Sequence, residues 1–386
     1  MIPPLDLTPE IKEIRREIDA TIKRVIDSTA FILGPDVKAF EEEAAAYLGV
    51  KHAIGVNSGT DALVIAMKSL GIGSGDEVIT TPFSFFATAE SISILGAKPV
   101  FVDVEADTFN IDPEKIEAAI TPATKALLPV HLFGRPANMG RIMEIAGKHG
   151  LYVIEDAAQS FGARYLTDPA KSGNNGGRTT GNAAQTENLQ GKQTGSMGNA
   201  GAISFFPTKN LGGFGDGGLI VTNDDQLAET ARMLRSHGSR KKYHNELLGY
   251  NSRLDTIQAA VLRVKLPYID RWNKGRREAA QRYNKLFEGH DNIVTPEIID
   301  GHVFHQYTLR LLETDRNEVQ AALKEAGVGS MVYYPVPQDR LPIYRDEYPR
   351  NPVSDELAEQ VISLPIWPTI DEATQEKVAT ALLMNV

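Results

Sequence analysis

Three short stretches of the 386-residue chain carry residue types that could do chemistry. Val56-Asn57-Ser58-Gly59-Thr60-Asp61-Ala62-Leu63 reads as the end of a strand opening into a helix. Glycine permits close backbone approach there, and the first turn of a helix offers N–H groups without partners, so the stretch is a candidate phosphate cradle. The same residues also suit an ordinary helix cap through Ser58 or Thr60. Ile154-Glu155-Asp156-Ala157-Ala158-Gln159-Ser160 sets two carboxylates at the carboxyl end of an apolar strand. Asp156 in that place could hold a metal, act as a base, pair with a protonated ring nitrogen, or simply cap a helix. Ser204-Phe205-Phe206-Pro207-Thr208-Lys209-Asn210-Leu211-Gly212-Gly213 puts a lysine just past an apolar strand, between a proline and a glycine pair. Lysines usually lie on helix faces with their heads in water. Lys209 could snorkel to solvent in that way, or form a Schiff base if desolvation or nearby cations depress its pKa.

Other chemistries lose their signatures. Gly213, Gly215 and Gly218 satisfy G-x-G-x-x-G, but a dinucleotide fingerprint must open a helix, and here the glycines run into the strand-like Leu219-Ile220-Val221-Thr222. A tight turn that lets backbone pass close to a ligand fits them better. The eight histidines show no H-E-x-x-H spacing, and no cysteine is present, so no metal site is expected and disulfides and thiol nucleophiles are excluded. Neither a G-x-S-x-G elbow nor a P-loop occurs.

The elements that must position these residues alternate in type. From Thr8, a plausible N-cap, Ile11, Ile14, Ile18, Ile22 and Val25 recur at helical spacing and predict a helical arm, followed by a second helical stretch from Val37 to Tyr47. Strands are expected at His52–Val56, Glu77–Thr80, Lys98–Asp103, Ala126–Pro129, Tyr152–Asp156, Ala202–Phe206 and Leu219–Thr222. Strand and helix in alternation predict an α/β fold with a mostly parallel central sheet, whose binding loops follow the carboxyl ends of the strands. After Asn251 come a long helical stretch through Leu286, a strand-like Gln306–Leu312, a helix around Asn317–Ala326 and a Pro-rich run from Tyr334 to Pro342. The expected organisation is a large domain over residues 1–250 and a smaller C-terminal α+β domain over 251–386. A polar insertion, residues 168–196, is nearly empty of apolar side chains and adds little core.

Composition bounds the partners. Hydrophobic residues are 42% and charged residues 23%, ordinary for a globular protein. A formal net charge of -10 disfavours nucleic acid and anionic membranes as non-specific partners, so a phosphorylated ligand needs a local site. The N-terminal stretch has no apolar signal core and no run is long enough to span a bilayer, so the expected location is cytoplasmic.

A phosphate cradle, a strand-end Asp and a strand-end Lys are together the three grips that pyridoxal 5'-phosphate requires. In order and wording, NSGTDAL, TPFSFFATAE, EDAAQSFGA, SFFPTKNLGGFGDGG and GYNSRLDTIQAA resemble the DegT/DnrJ family of nucleotide-sugar aminotransferases, which are fold type I pyridoxal phosphate enzymes, and the likeness covers nearly the whole chain. The resemblance implies Lys209 as the Schiff-base lysine and Asp156 as the pyridinium partner. It sets Gln159 and Phe85 against the two faces of the cofactor ring and Gly59, Thr60, Asp61 and Ser204 around the phosphate. Asn251 is implied to reach the phosphate of the neighbouring subunit, hence a homodimer with shared active sites. It further implies amino transfer from an amino acid, L-glutamate, to a nucleotide-linked keto sugar.

Asn251-Ser252-Arg253-Leu254-Asp255 is similar to members acting on 3-keto sugars, whereas 4-keto members more often carry an aromatic residue in place of Ser252. C3 amination of a dTDP-linked deoxyhexose or a UDP-linked hexuronic acid is therefore expected, with 4-keto amination and a non-catalytic regulator or scaffold as the alternatives. Arg253, Tyr333 and Tyr334 are the candidate sugar-binding residues. Arg253 suits a carboxylate or a diphosphate equally. Tyr333 stands where the uronic-acid enzymes commonly have histidine, and Pro337-Gln338-Asp339 lacks their usual leucine-histidine pair.

Overall fold

The computed structural model describes residues 1–166, 189–344 and 347–386. The polar insertion therefore lies mostly outside the described residues, apart from 189–196. Two helices come first, α1 (Thr8–Ser28) and α2 (Pro35–Leu48). The α1 cap is not Thr8, which is already helical. The cap position is Leu7, and Asp6 Oδ1, one residue further out, accepts from the Thr8 N–H at 2.8 Å.

Seven strands follow: β1 (His52–Val56), β2 (Glu77–Thr80), β3 (Lys98–Phe101), β4 (Thr124–Leu127), β5 (Tyr152–Asp156), β6 (Ala200–Ser204) and β7 (Gly218–Thr222). They form one sheet in the order β1-β7-β6-β5-β4-β2-β3, parallel except at β7, which runs antiparallel to both its neighbours. The expected strand at Ala202–Phe206 sits two residues earlier, its register with β7 ending at the Ser204–Gly218 pair. Alternate residues enter opposite cores. Ala53, Ile203, Leu219 and Val221 pack with α1 and α2, while Ile54, Ala202 and Ile220 pack with α3 (Gly59–Ser69) on the other face. Both faces are covered, so the strands read as near-continuous apolar runs.

Helix α4 (Ala87–Ile94) lies beside α3, the short α5 (Ile116–Ala119) and α6 (Met139–His149) pack on the opposite face with Ile79, Leu127 and Val153, and α7 (Asp225–Leu234) returns to the side of α3. A hairpin of β8 (Ser239–Lys241) and β9 (His244–Asn245) stands apart from the main sheet. The long helical stretch after Asn251 is two helices, α8 (Thr256–Lys265) and α9 (Ile269–Leu286), separated by a 3-10 turn at Pro267, whose ring prevents the α-helical hydrogen bond. Ala259, Val261 and Leu262 of α8 are buried in the same core as α1 and α2. Beyond them, β10 (Ile293–Val294), β11 (Tyr307–Leu311) and β12 (Val361–Leu364) form an antiparallel sheet. It shares an apolar core with α9, α10 (Arg316–Glu325) and α12 (Glu372–Leu383), and α11 (Pro352–Gln360) leads directly into β12.

Candidate active site

The reversal of β7 puts the chemistry at one edge of the sheet. Because β6 and β7 are antiparallel neighbours, the connection from Phe205 to Gly217 leaves and re-enters at that edge, carrying Lys209 with it. Gly218 pairs with Ser204 on one side and Val56 on the other, so the ends of three strands lie in one row. A Cβ on Gly218 would overlap the Ser58 carbonyl, and one on Gly59 would stand 2.7 Å from Ser204 Cβ. Glycine at both positions is what allows the start of α3 to lie against the ends of β6 and β7.

At that start Ser58 is the cap, its Oγ accepting from the Asp61 N–H at 3.0 Å. The N–H groups of Gly59 and Thr60, in the first turn of α3, have no helical acceptor and remain available to an anion. Ser58, Gly59, Thr60 and Ser204 line one end of a cavity of about 400 Å³, a size typical of cofactor sites. Asp61 contributes its backbone to the cap and does not line the cavity.

Asp156 ends β5 and lines the same cavity at 5% exposure. Thr88 Oγ1, from α4, donates to its Oδ2 at 2.8 Å, and the Ala158 N–H donates to Oδ1 at 3.2 Å. Burial holds its pKa above the usual carboxylate range, against the pull of these two donors and of the Lys209 charge. Glu155, its neighbour, points the other way, as strand alternation requires. It accepts from the N–H groups of Gly195, Met197 and Gly198 at 2.7–2.8 Å and from His131 Nε2 at 2.9 Å. His131 Nδ1 accepts from Ala137 N–H, which leaves the proton on Nε2 facing Glu155. The two adjacent carboxylates thus divide into one that faces the cavity and one that anchors the chain leading into β6.

Lys209 lines the cavity and is half-buried. Burial lowers its pKa to about 8, Asp156 pulling the other way. Its turn is braced on both sides. Asn210 donates to Asn273 Oδ1 at 2.7 Å and to the Val303 carbonyl at 3.1 Å, and Lys265 Nζ, itself buried, donates to the Gly212 carbonyl at 2.6 Å.

Around the rest of the cavity stand Phe85, Gln159, His305, Tyr333 and Tyr334. Gln159 accepts from the Phe133 N–H at 2.7 Å and donates to Tyr334 Oη at 3.0 Å. Phe85 is 60% exposed, its ring tilted toward Tyr334 with centroids 6.4 Å apart. His305 Nδ1 lies 3.2 Å from Asn210 Oδ1, and burial with the nearby Lys209 charge keeps the ring neutral, its pKa well below the ordinary value.

Of the residues singled out in the sequence, Gly59, Thr60, Phe85, Asp156, Gln159, Ser204, Lys209, Tyr333 and Tyr334 converge on this cavity. Asn251 and Arg253 do not. Asn251 is exposed and forms a bridge with Ser236, and Arg253 lines a separate cleft with Ile32, Arg232 and Arg240. Sequence reasoning missed Ser84, Thr88 and His305. The i, i+4 pair Ser84 and Thr88, hydroxyls 2.9 Å apart in an otherwise apolar run, is the signal that points to two of them. Among the described residues no cluster of three or more His, Asp or Glu could hold a metal ion, and no helix is long and apolar enough to cross a membrane.

A family model described as the DegT/DnrJ/EryC1/StrS aminotransferase family matches residues 12–383. A pleiotropic regulatory protein of Geobacillus stearothermophilus is 48% identical over 98% of this chain and 96% of its own. A UDP-N-acetyl-3-dehydro-alpha-D-glucosamine 3-aminotransferase of Acidithiobacillus ferrooxidans is 44% identical over 99% and 97%. The crystal structure of DesV from S. venezuelae, in complex with a ketimine intermediate, has a TM-score of 0.89 at 42% identity, over 99% of this chain and 97% of that one.

Proposed function

The chain belongs to the DegT/DnrJ/EryC1/StrS aminotransferase family, and we propose that it moves an amino group from L-glutamate to C3 of a nucleotide-linked keto sugar in the cytoplasm, with pyridoxal 5'-phosphate held in the cavity. One observation carries the reading: a single cavity joins a free helix N-terminus, a buried carboxylate and a lysine whose pKa is lowered. Its donors match the cofactor group by group. The α3 N-terminus with Ser204 suits a phosphate, Asp156 suits a protonated ring nitrogen, and Lys209 suits an aldehyde. When bound, pyridoxal phosphate supplies that aldehyde and a ring that takes up the electron pair left by a departing proton.

The chain's own residues then have distinct tasks. With a pKa of about 8, a useful fraction of Lys209 is a neutral amine near neutral pH, able to take a proton at Nζ and return it. Thr88 and Ala158 donate to Asp156 and favour its charged form against the pull of burial, and that form would favour a proton on the ring nitrogen opposite it. Gln159 and Phe85 confine the ring from two sides, and Tyr333 and Tyr334 face the space left for the sugar.

The C3 assignment draws on the Asn251-Ser252-Arg253 wording and on the 3-aminotransferase that is 44% identical. Asn251 and Arg253, remote from their own cavity, are proposed to serve a partner subunit in a homodimer with shared sites. The relative carrying a regulatory name favours one second reading, a regulator without turnover. The presence of both Lys209 and Asp156 in the cavity favours catalysis.

The test begins with pyridoxal phosphate bound to the purified protein, borohydride reduction and peptide mass spectrometry. It continues with L-glutamate and UDP- or dTDP-linked 3-keto and 4-keto sugars. The reading expects the cofactor mass on Lys209, amino sugar only from 3-keto acceptors, and neither in Lys209→Ala. Labelling without transfer to any sugar would favour the regulator, and full activity in Lys209→Ala would overturn the mechanism.

A further inference from the structure

We propose that Gln338 is a positioning residue that locks the segment between β2 and α4, and with it Phe85 and Thr88, over the cavity. The proposal rests on the reading above for what that segment serves. Helix α4 has a defect at its start: its cap position is Phe86, which has no side-chain oxygen, and no side chain of the helix's own neighbourhood caps it. The Ala89 N–H, in the first turn, has no helical acceptor. Gln338 reaches it from 249 residues away, its Oε1 accepting from Ala89 N at 3.2 Å. The other end of the same amide, Nε2, donates to the Thr81 carbonyl at 3.3 Å, and the Gln338 main-chain N–H donates to the Pro82 carbonyl at 2.8 Å.

The three bonds fall on both sides of the segment 83–88, at Thr81 and Pro82 before it and Ala89 after it. Between them lie Phe85, which borders the cavity, and Thr88, which donates to Asp156 at 2.8 Å. Thr88 immediately precedes the residue that Gln338 holds, so the reach of its hydroxyl to Asp156 depends on where α4 begins. Gln338 is 1% exposed, and its amide is used at both ends. It also lies four residues beyond Tyr334, which takes a hydrogen bond from Gln159 at 3.0 Å. One short stretch of the C-terminal chain thereby sets two walls of the cavity, the Gln159 wall through Tyr334 and the Phe85–Thr88 wall through Gln338. A leucine at this position would fill the space but could make neither side-chain bond.

The decisive variant is Gln338→Met, unbranched and of similar length but without the amide. In the protein without cofactor, hydrogen exchange over residues 82–90 should rise while the rest of the sheet is unchanged, whether or not the proposed activity is right. In the loaded enzyme kcat should fall roughly tenfold, the scale expected from leaving a buried donor and acceptor unpaired, with little change in KM for the sugar. Gln338→Glu, which retains the acceptor for Ala89, should recover part of the loss. If Gln338 acts through Thr88, Gln338→Met should cost far less in a Thr88→Val background than alone. Unchanged exchange over 82–90, or equal cost in the two backgrounds, would overturn the proposal. Absent transaminase activity with raised exchange would instead strike the functional reading and leave the clamp standing.

Discussion

The Thr88 hydroxyl favours the ionised form of Asp156, and the size of that effect follows from the geometry. The residues are 1% and 5% exposed, and the hydroxyl donates to Oδ2 at 2.8 Å. A hydrogen bond to a charged group at such a site contributes about 1.5–3 kcal/mol. Thr88→Val preserves the shape and removes that donor, leaving the Ala158 N–H as the carboxylate's main hydrogen bond. At about 1.4 kcal/mol per factor of ten, the ionisation equilibrium of Asp156 tips toward the protonated form by roughly 10- to 150-fold. The direction is unambiguous. Burial already raises this pKa, and losing a donor to the charged form raises it further, so the protonated state, inactive in the proposed mechanism, persists to higher pH. The assay is kcat/KM for the amino donor across pH, which reports the groups of the free enzyme. The acid limb should move to higher pH in Thr88→Val and return toward its original place in Thr88→Ser. An acid limb that stays put in a folded, cofactor-loaded Thr88→Val enzyme would refute the role given to Thr88.

Three further outcomes are expected. Lys209→Met should stabilise the cofactor-free protein near pH 7 by up to about 3 kcal/mol, because the folded state holds this lysine near 8 against 10.5 and so binds its proton less well than the unfolded chain does. The gain should shrink between pH 8 and 10.5 and vanish above it, and thermal melts that show no pH dependence of the difference would contradict the burial of the amine. Gly218→Ala should weaken pyridoxal phosphate binding at least tenfold and cost about 1–3 kcal/mol in stability, since the new Cβ would overlap the Ser58 carbonyl, which is backbone and cannot swing aside. A titration giving wild-type affinity would show that the start of α3 does not form the phosphate site. Mixing inactive Lys209→Ala subunits with inactive Asn251→Ala subunits should restore activity in the mixed dimers, each of which would hold one site intact in both residues. Mixtures no more active than either parent would count against a shared site.

What the sequence made legible was whatever rests on neighbours along the chain. The apolar runs ending at Asp156 and the constrained turn around Lys209 identified strand ends, and the sheet brings both to one cavity. Helical periodicity also found α1 and α2, although the α1 cap position is Leu7 rather than Thr8 and Pro267 split the stretch after Asn251. The partners that tune the site escaped notice because they come from elements that only the strand order makes adjacent. Thr88 lies 68 residues from Asp156, following β2, which is separated from β5 by β4. Gln338 lies 249 residues from Ala89 and supplies a cap that a local reading of α4 would look for at Phe86. Glu155 and Asp156 look equivalent as letters, and only the pleat separates their duties, which strand alternation predicts once the end of β5 is known. Asn251 and Arg253 pose the opposite problem. The resemblance marks them as ligand-facing, yet the fold turns both away from their own cavity, so whether they serve a site depends on a second copy of the chain, and no pattern within one sequence specifies which copy a side chain will face.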